Sequence, residues 1–222
     1  MSCCGRIGRR DKVDSYLVPA GEGTAEYVEK RSRFIGHMWR VESEEEARSK
    51  IEETRKQHYD ARHNCWCYII REGGVLRYSD DGEPQGTAGQ PMLNVFQRED
   101  VTNICCVVTR YFGGILLGVG GLTRAYGGTA KLALDAGGVS RMRLWASLEV
   151  PCPYSLYERM RLLVEQCGGT VADTDFGADV LLTVQLPAEN VTAFREKVTE
   201  LSAGKLEPQV TAEQFQPGPR ER

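Results

Sequence analysis

The sequence predicts an α+β protein of two domains, and three observations carry that prediction. Short apolar runs bounded by turn residues, such as CWCYII at 65–70 and ICCVVT at 104–109, alternate with amphipathic segments at helical spacing. The texture changes near residues 138–145, where a glycine-rich stretch gives way to scattered charge. Within residues 141–215 the elements read strand, helix, strand, strand, helix, strand, the ferredoxin-like βαββαβ order. The expected division is a flexible tail at 1–13, an N-terminal domain at 14–140, the ferredoxin-like domain at 141–215 and a tail at 216–222.

Alternating apolar residues from Tyr16 to Val41 predict two strands joined by a turn at Lys30 to Arg33. Ser43 followed by Glu46 is a capping box, and the helix it opens should end near His58. CWCYII is too short and too aromatic for a helix and reads as a buried strand. Gly73 and Gly74 turn it into a second strand, VLRYS, which ends in Asp80, Asp81 and Gly82. TAGQPMLNVF reads as a helix with Thr87 near its cap and Pro91 in its first turn. ICCVVT is a central strand, Arg110 to Gly114 is the loop leaving it, and helical spacing runs from Leu122 to Gly137. In the second domain, strands are expected at LWASLEV, on either side of a Phe176-Gly177 turn, and from Leu206 to Phe215. Helices are expected over 153–169 and 189–204.

With 41% hydrophobic and 27% charged residues the chain should bury an ordinary core. Its formal charge of -3 excludes the broad basic field of a general nucleic-acid binder, so DNA is not an expected partner. No run of 18 apolar residues occurs and the N-terminus lacks an apolar signal core, which predicts a cytoplasmic protein without a membrane partner. The eight cysteines are then reduced thiols, with Cys65, Cys67, Cys105 and Cys106 acting as small core hydrophobes. CWC and CC lack zinc-ligand spacing, Cys3 and Cys4 fall in the tail, and no metal site is expected.

Functional weight falls on residues 78–128, which hold ten of the 24 glycines. Glycine at that density specifies backbone shape and leaves the interspersed polar side chains to meet a ligand. Asp80, Asp81 and Glu83 repel one another unless a cation, water or backbone donors receive them. Arg110 and Tyr111 sit at a strand end, where binding crevices form, beside Gly113 and Gly114. Gly118, Gly120 and Gly121 precede a helix whose free amides suit an anion, although GVGGLT lacks the last glycine of GxGxxG. Arg62, His63, Thr87, Arg124 and Tyr126 complete the candidate binding set. The stretch nevertheless carries three arginines against five carboxylates, a local charge of -2 that favours specific contacts over general polyanion affinity.

Two function classes fit. Arg62, Arg110 and Arg124 with Tyr111 and Tyr126 can contact phosphates and stack a base, as recognition of single-stranded RNA requires. Alternatively, Mg2+ on the acidic turn with phosphate on the arginines and glycines would make a phosphate-ester or nucleotide enzyme. That reading ranks second, because no nucleophile or base stands out beyond Thr87, Thr123 and His63.

YSDDGEPQGTAGQPML, VVTRYFGGILLGVGGLTRAYGG and DARHNCWCY closely resemble the bacterial YigZ branch of the IMPACT family, over about residues 14–213. The resemblance implies an N-terminal domain like one in a ribosomal small-subunit protein and in translocase factors. It also implies a ferredoxin-like C-terminal domain similar to one in elongation factor G. Eukaryotic IMPACT is a translation regulator whose partner-binding N-terminal domain has no match here. For bacterial members the resemblance implies association with RNA or the ribosome and no established reaction. The expected protein is a translation-associated regulatory or binding protein that contacts RNA, ribosome or a translation factor through residues 60–64, 80–90, 110–114 and 118–126.

Overall fold

The computed structural model describes residues 15–221, and the N-terminal tail with Cys3 and Cys4 lies outside them. The described chain is mixed α+β, with two sheets and five α-helices, and divides into two compact units.

The N-terminal unit contains β1 (Ser15–Pro19), β2 (Gly23–Glu29), β3 (Ser32–Arg40), α1 (Glu44–Gln57), β4 (His63–Ile70), β5 (Val75–Ser79), α2 (Gly89–Arg98), β6 (Ile104–Tyr111) and α3 (Gly118–Gly137). Its sheet runs β2-β3-β6-β4-β5 with every neighbour antiparallel. The predicted hairpin turn is Lys30 and Arg31, both at positive φ (45° and 66°), the pairing a tight two-residue turn needs. Side chains of β6 alternate between two cores. Ile104, Cys106 and Val108 pack with Met92 and Phe96 of α2 and with Tyr126 and Leu134 of α3. Cys105 and Val107 face Ala47 and Ile51 of α1. Burial on both faces is why ICCVVT reads as an unbroken apolar run. It also pushes the four expected core thiols above the ordinary cysteine value, Cys105 to about 12.

Helix α1 starts as read: Ser43 Oγ accepts from the Glu46 amide at 3.2 Å, and the Glu46 carboxylate accepts from the Glu42 amide. Helix α3 starts earlier than the sequence suggests. Gly118, Gly120 and Gly121 form its first turn rather than a loop before it, with Gly118 at φ 70°.

In the C-terminal unit, β7 (Val139–Cys152, entering this unit at Met142), α4 (Tyr157–Gln166), β8 (Thr170–Phe176), β9 (Val180–Pro187), α5 (Val191–Ser202) and β10 (Gln209–Arg220) follow the expected order. The sheet runs β8-β9-β7, with β10 also on β7. In the unit's own strand numbering that is 4-1-3-2, the order a ferredoxin-like sheet adopts. Leu148, Val150, Leu182 and Val184 meet Met160, Val164, Phe194 and Val198 in one core. Strand β10 does not stop at Phe215: residues 217–221, read as tail, join the N-terminal unit, where Ser140 Oγ donates to the Gly218 carbonyl at 2.7 Å and Arg141 pairs with Glu221 at 2.9 Å.

Candidate functional site

A cavity of about 830 Å³ opens in the N-terminal unit. Its walls are Arg62 and His63 at the start of β4, Glu83 and Pro84 from the acidic turn, Arg110 to Phe112 at the end of β6, and Leu116 to Val119 with Leu122 at the start of α3. Strand register explains the first group. Phe34, Arg110 and His63 are direct cross-strand neighbours on β3, β6 and β4, so their side chains share one face.

Arg110 is buried in that row. Its Nη1 donates to Glu83 Oε1 at 2.7 Å, and the Tyr126 hydroxyl donates to the same oxygen at 2.8 Å. The two ionised side chains are only 7% and 4% exposed, so neither is tolerable without the other. The guanidinium carbon lies 5.6 Å from the Phe34 ring centroid and 5.5 Å from that of Phe112, both within cation–π range. Burial, with Cys65 and Glu83 beside it, pushes the Tyr126 hydroxyl far up, so it remains a donor. Arg110 Nε is the one buried side-chain polar atom without a partner among the described residues.

His63 is held differently. Its Nδ1 lies 2.8 Å from the Asp81 carbonyl oxygen, which only accepts, so Nδ1 carries the proton and donates. In the neutral ring Nε2 is therefore a lone-pair acceptor, and among the described residues the ring's hydrogen bond is the one at Nδ1.

The three acidic residues do not converge. Asp80 Oδ1 accepts from the amides of Ala88 and Gly89 at 3.0 and 2.9 Å, and its Oδ2 from Gly86 at 2.8 Å, so Asp80 caps α2 from outside the helix. Asp81, at φ 42°, accepts from Arg55 at 3.1 Å and from the Asn64 amide at 2.7 Å. With Glu83 turned to Arg110, these carboxylates do not fit a Mg2+ ligand set. Among the described residues, no three His, Cys, Asp or Glu side chains lie close enough to hold a metal ion.

Several other predicted residues also part company. Thr87 is buried, its hydroxyl donating to the Pro84 carbonyl at 2.6 Å, and it closes the turn before α2. Arg124 is exposed and borders a separate groove of about 390 Å³ with Gln90, Arg98 and Gly128. Gly113 is required by a close approach: a Cβ there would sit 2.0 Å from the Arg31 carbonyl carbon. Gly114 (φ 84°) is open on the side where a Cβ would stand. Among the helix-start glycines only Gly118 borders the cavity. Gly121 fits tightly, a Cβ there meeting Leu117 Cβ at 3.0 Å, and Gly120 faces Arg124. Leu117 gives the α3 N-terminus no side-chain cap. Phe112, within the expected 110–114 stretch, and Leu116, outside every expected stretch, are 55% and 83% exposed at the cavity; an isolated apolar residue such as Leu116 gives no binding signal in sequence.

Tyr111 borders the cavity, yet its side chain leaves the sheet on the face opposite Arg110. There a chain of hydrogen bonds runs from Thr24 to His37 at 3.3 Å, His37 Nε2 to His58 Nε2 at 3.4 Å and His58 Nδ1 to the Tyr111 hydroxyl at 3.0 Å; Tyr111 then donates to Asp60 at 2.9 Å. Burial lowers the pKa of both histidines; the positive charge of His58 also lowers that of His37, while Asp60 opposes and Arg33 adds to the shift of His58. Both rings bind protons more weakly folded than unfolded, so acid favours the unfolded chain. Their contribution is complete above the ordinary value of 6.5 and is lost as pH falls through the lower folded values. Urea midpoints measured from pH 7.5 down to 5.5 should therefore fall, and His37→Gln with His58→Gln should flatten that dependence. Equal slopes in the two proteins would show that the pair does not carry it.

The Impact N-terminal domain family matches residues 30–134, and the Domain of unknown function (DUF1949) matches residues 150–205. The chain is 39% identical over 198 residues to IMPACT family member YigZ of Escherichia coli (strain K12), covering 88% of this chain and 97% of that protein. The chain belongs to the IMPACT family. A second IMPACT family member, YvyE of Bacillus subtilis (strain 168), is 38% identical over 194 residues, which cover 87% of this chain and 89% of that one. A solved crystal structure of a hypothetical protein shares 38% identity and superposes with a TM-score of 0.57, covering 90% of this chain and 98% of that chain. The cavity, the acidic turn and the start of α3 all lie within the Impact N-terminal match.

Proposed function

We propose that this IMPACT family protein is a translation-associated regulatory protein that binds RNA of the translation machinery through the N-terminal cavity. The observation that carries this reading is the pairing of an exposed aromatic ring, Phe112, with a fixed guanidinium behind it at the mouth of a roomy cavity. A base stacks on such a ring whatever its sequence, and Arg62, exposed in the lining of the same cavity, suits the adjoining phosphate. The chain's net charge of -3 makes attraction to RNA local to this site. Among the described residues, no helix is long and apolar enough to cross a membrane. The Mg2+-dependent enzyme reading of the same cleft is weaker, since the oxygens of Asp80 and Asp81 already accept from backbone amides and Arg55.

Ribosome cosedimentation tests the proposal. Arg110 is unsuitable for it because its loss strands a buried carboxylate, and Arg124 borders another groove. Phe112→Ala removes an exposed ring and should weaken cosedimentation about tenfold, the size of one lost base stack. A folded Phe112→Ala protein that pellets normally would remove the cavity from the account.

A further inference from the structure

We propose that the cavity receives one unpaired nucleobase and that His63 Nε2 accepts a hydrogen bond from an N–H group on that base's Watson–Crick edge; this rests on the RNA-binding reading above. The direction of the bond follows from what holds the ring. The Asp81 carbonyl can only accept, which places the imidazole proton on Nδ1 and leaves Nε2 as acceptor. That carbonyl is itself fixed, because both carboxylate oxygens of Asp81 are tied, to Arg55 and to the Asn64 amide, and its own amide donates to Ser79 Oγ at 3.1 Å. An acceptor so locked in a cavity wall asks for a donor, which phosphate oxygens do not offer at neutral pH and an unpaired base does. Phe112 supplies the stacking surface: one contact is to the Arg110 guanidinium, and more than half of the residue remains exposed. Glu83, also in the lining, receives Arg110 and Tyr126 on its Oε1, so the N–H that His63 accepts is told apart from one meeting that carboxylate by the His63 variant below. Bases in a duplex have their Watson–Crick N–H groups occupied, so this geometry selects single-stranded RNA.

Uracil tests the bond because it has a single ring N–H available for it, at N3. Fluorescence anisotropy of the full chain with a labelled eight-residue oligouridine at pH 7.5 is compared with the same oligonucleotide methylated at every N3. Methylation should weaken binding about three- to tenfold, the span of one net hydrogen bond. His63→Asn keeps an amide donor near the Nδ1 position, so the bond to the Asp81 carbonyl can persist, but it removes Nε2. It should bind the unmethylated oligonucleotide as weakly as the wild type binds the methylated one, and should not respond to methylation. Unmethylated and methylated RNA binding alike to the wild type, or a folded His63→Asn protein that still discriminates, would overturn the inference while leaving RNA binding in place. Failure of every oligonucleotide to bind would instead overturn the RNA-binding reading and the inference with it.

Discussion

Arg110→Met is expected to destabilise the N-terminal unit by about 3–5 kcal/mol, the usual cost of removing one member of a buried ion pair. Met keeps the apolar stem beside Phe34 and Phe112, so packing loss is small and the measured cost reports the charge left behind on Glu83. Tyr126 still donates to that carboxylate, but a neutral donor replaces little of a guanidinium's field. Adding Glu83→Gln should recover most of the loss, because the amide oxygen can still accept from Tyr126 and no charge remains to be compensated. Urea unfolding followed by tryptophan fluorescence measures both variants. A cost below about 1 kcal/mol for Arg110→Met alone would mean that the pair is solvated in solution, since exposed pairs are worth that little.

The second large effect belongs to Asp80. One half-buried carboxylate accepts three backbone amides, those of Gly86, Ala88 and Gly89, and the last two belong to buried residues at the start of α2. Ala88 itself offers no side-chain cap, so Asp80 is what satisfies that helix end. Asp80→Ala should cost about 2–4 kcal/mol, more than an ordinary lost cap because several charge-assisted bonds go at once. Asp80→Asn, which retains one acceptor oxygen, should fall between the two. The same unfolding measurement decides, and an Asp80→Ala protein within about 0.5 kcal/mol of wild type would remove the capping role.

Both effects come from residues that sequence reasoning marked for a ligand, and the reason is instructive. A cluster of carboxylates at a turn has the same appearance whether it receives a cation or backbone amides, because the donors that occupy Asp80 lie six to nine residues further along. Arg110 drew weight as a strand-end arginine, correctly placed at the cavity, but its ion pair needs the turn that brings Glu83 back over the sheet. Gly118, Gly120 and Gly121 look like residues that precede a helix because glycine is a poor helix former, whereas they make its first turn, where Gly118 stands at φ 70° and Gly121 packs tightly on Leu117.

Periodicity by itself determined much of this protein: an α+β chain, the strand-helix order apart from β1, which makes three strands where the alternation up to Val41 suggests two, the doubly buried Ile104–Thr109 segment and the thiols within it. It also contained two separations that only become visible once the elements are placed. Arg110 and Tyr111 are consecutive in a strand and so leave on opposite faces, while Arg124 and Tyr126 are two apart in a helix and so point about 200° apart, one to a surface groove and one to the core. What only the tertiary structure decided is which polar atoms remain available. Hydrogen bonds made across turns and between strands engage Asp80, Asp81, Glu83 and Thr87, and they hold His63 by its Nδ1 in a cavity wall, because partnership depends on distances that chain order does not encode.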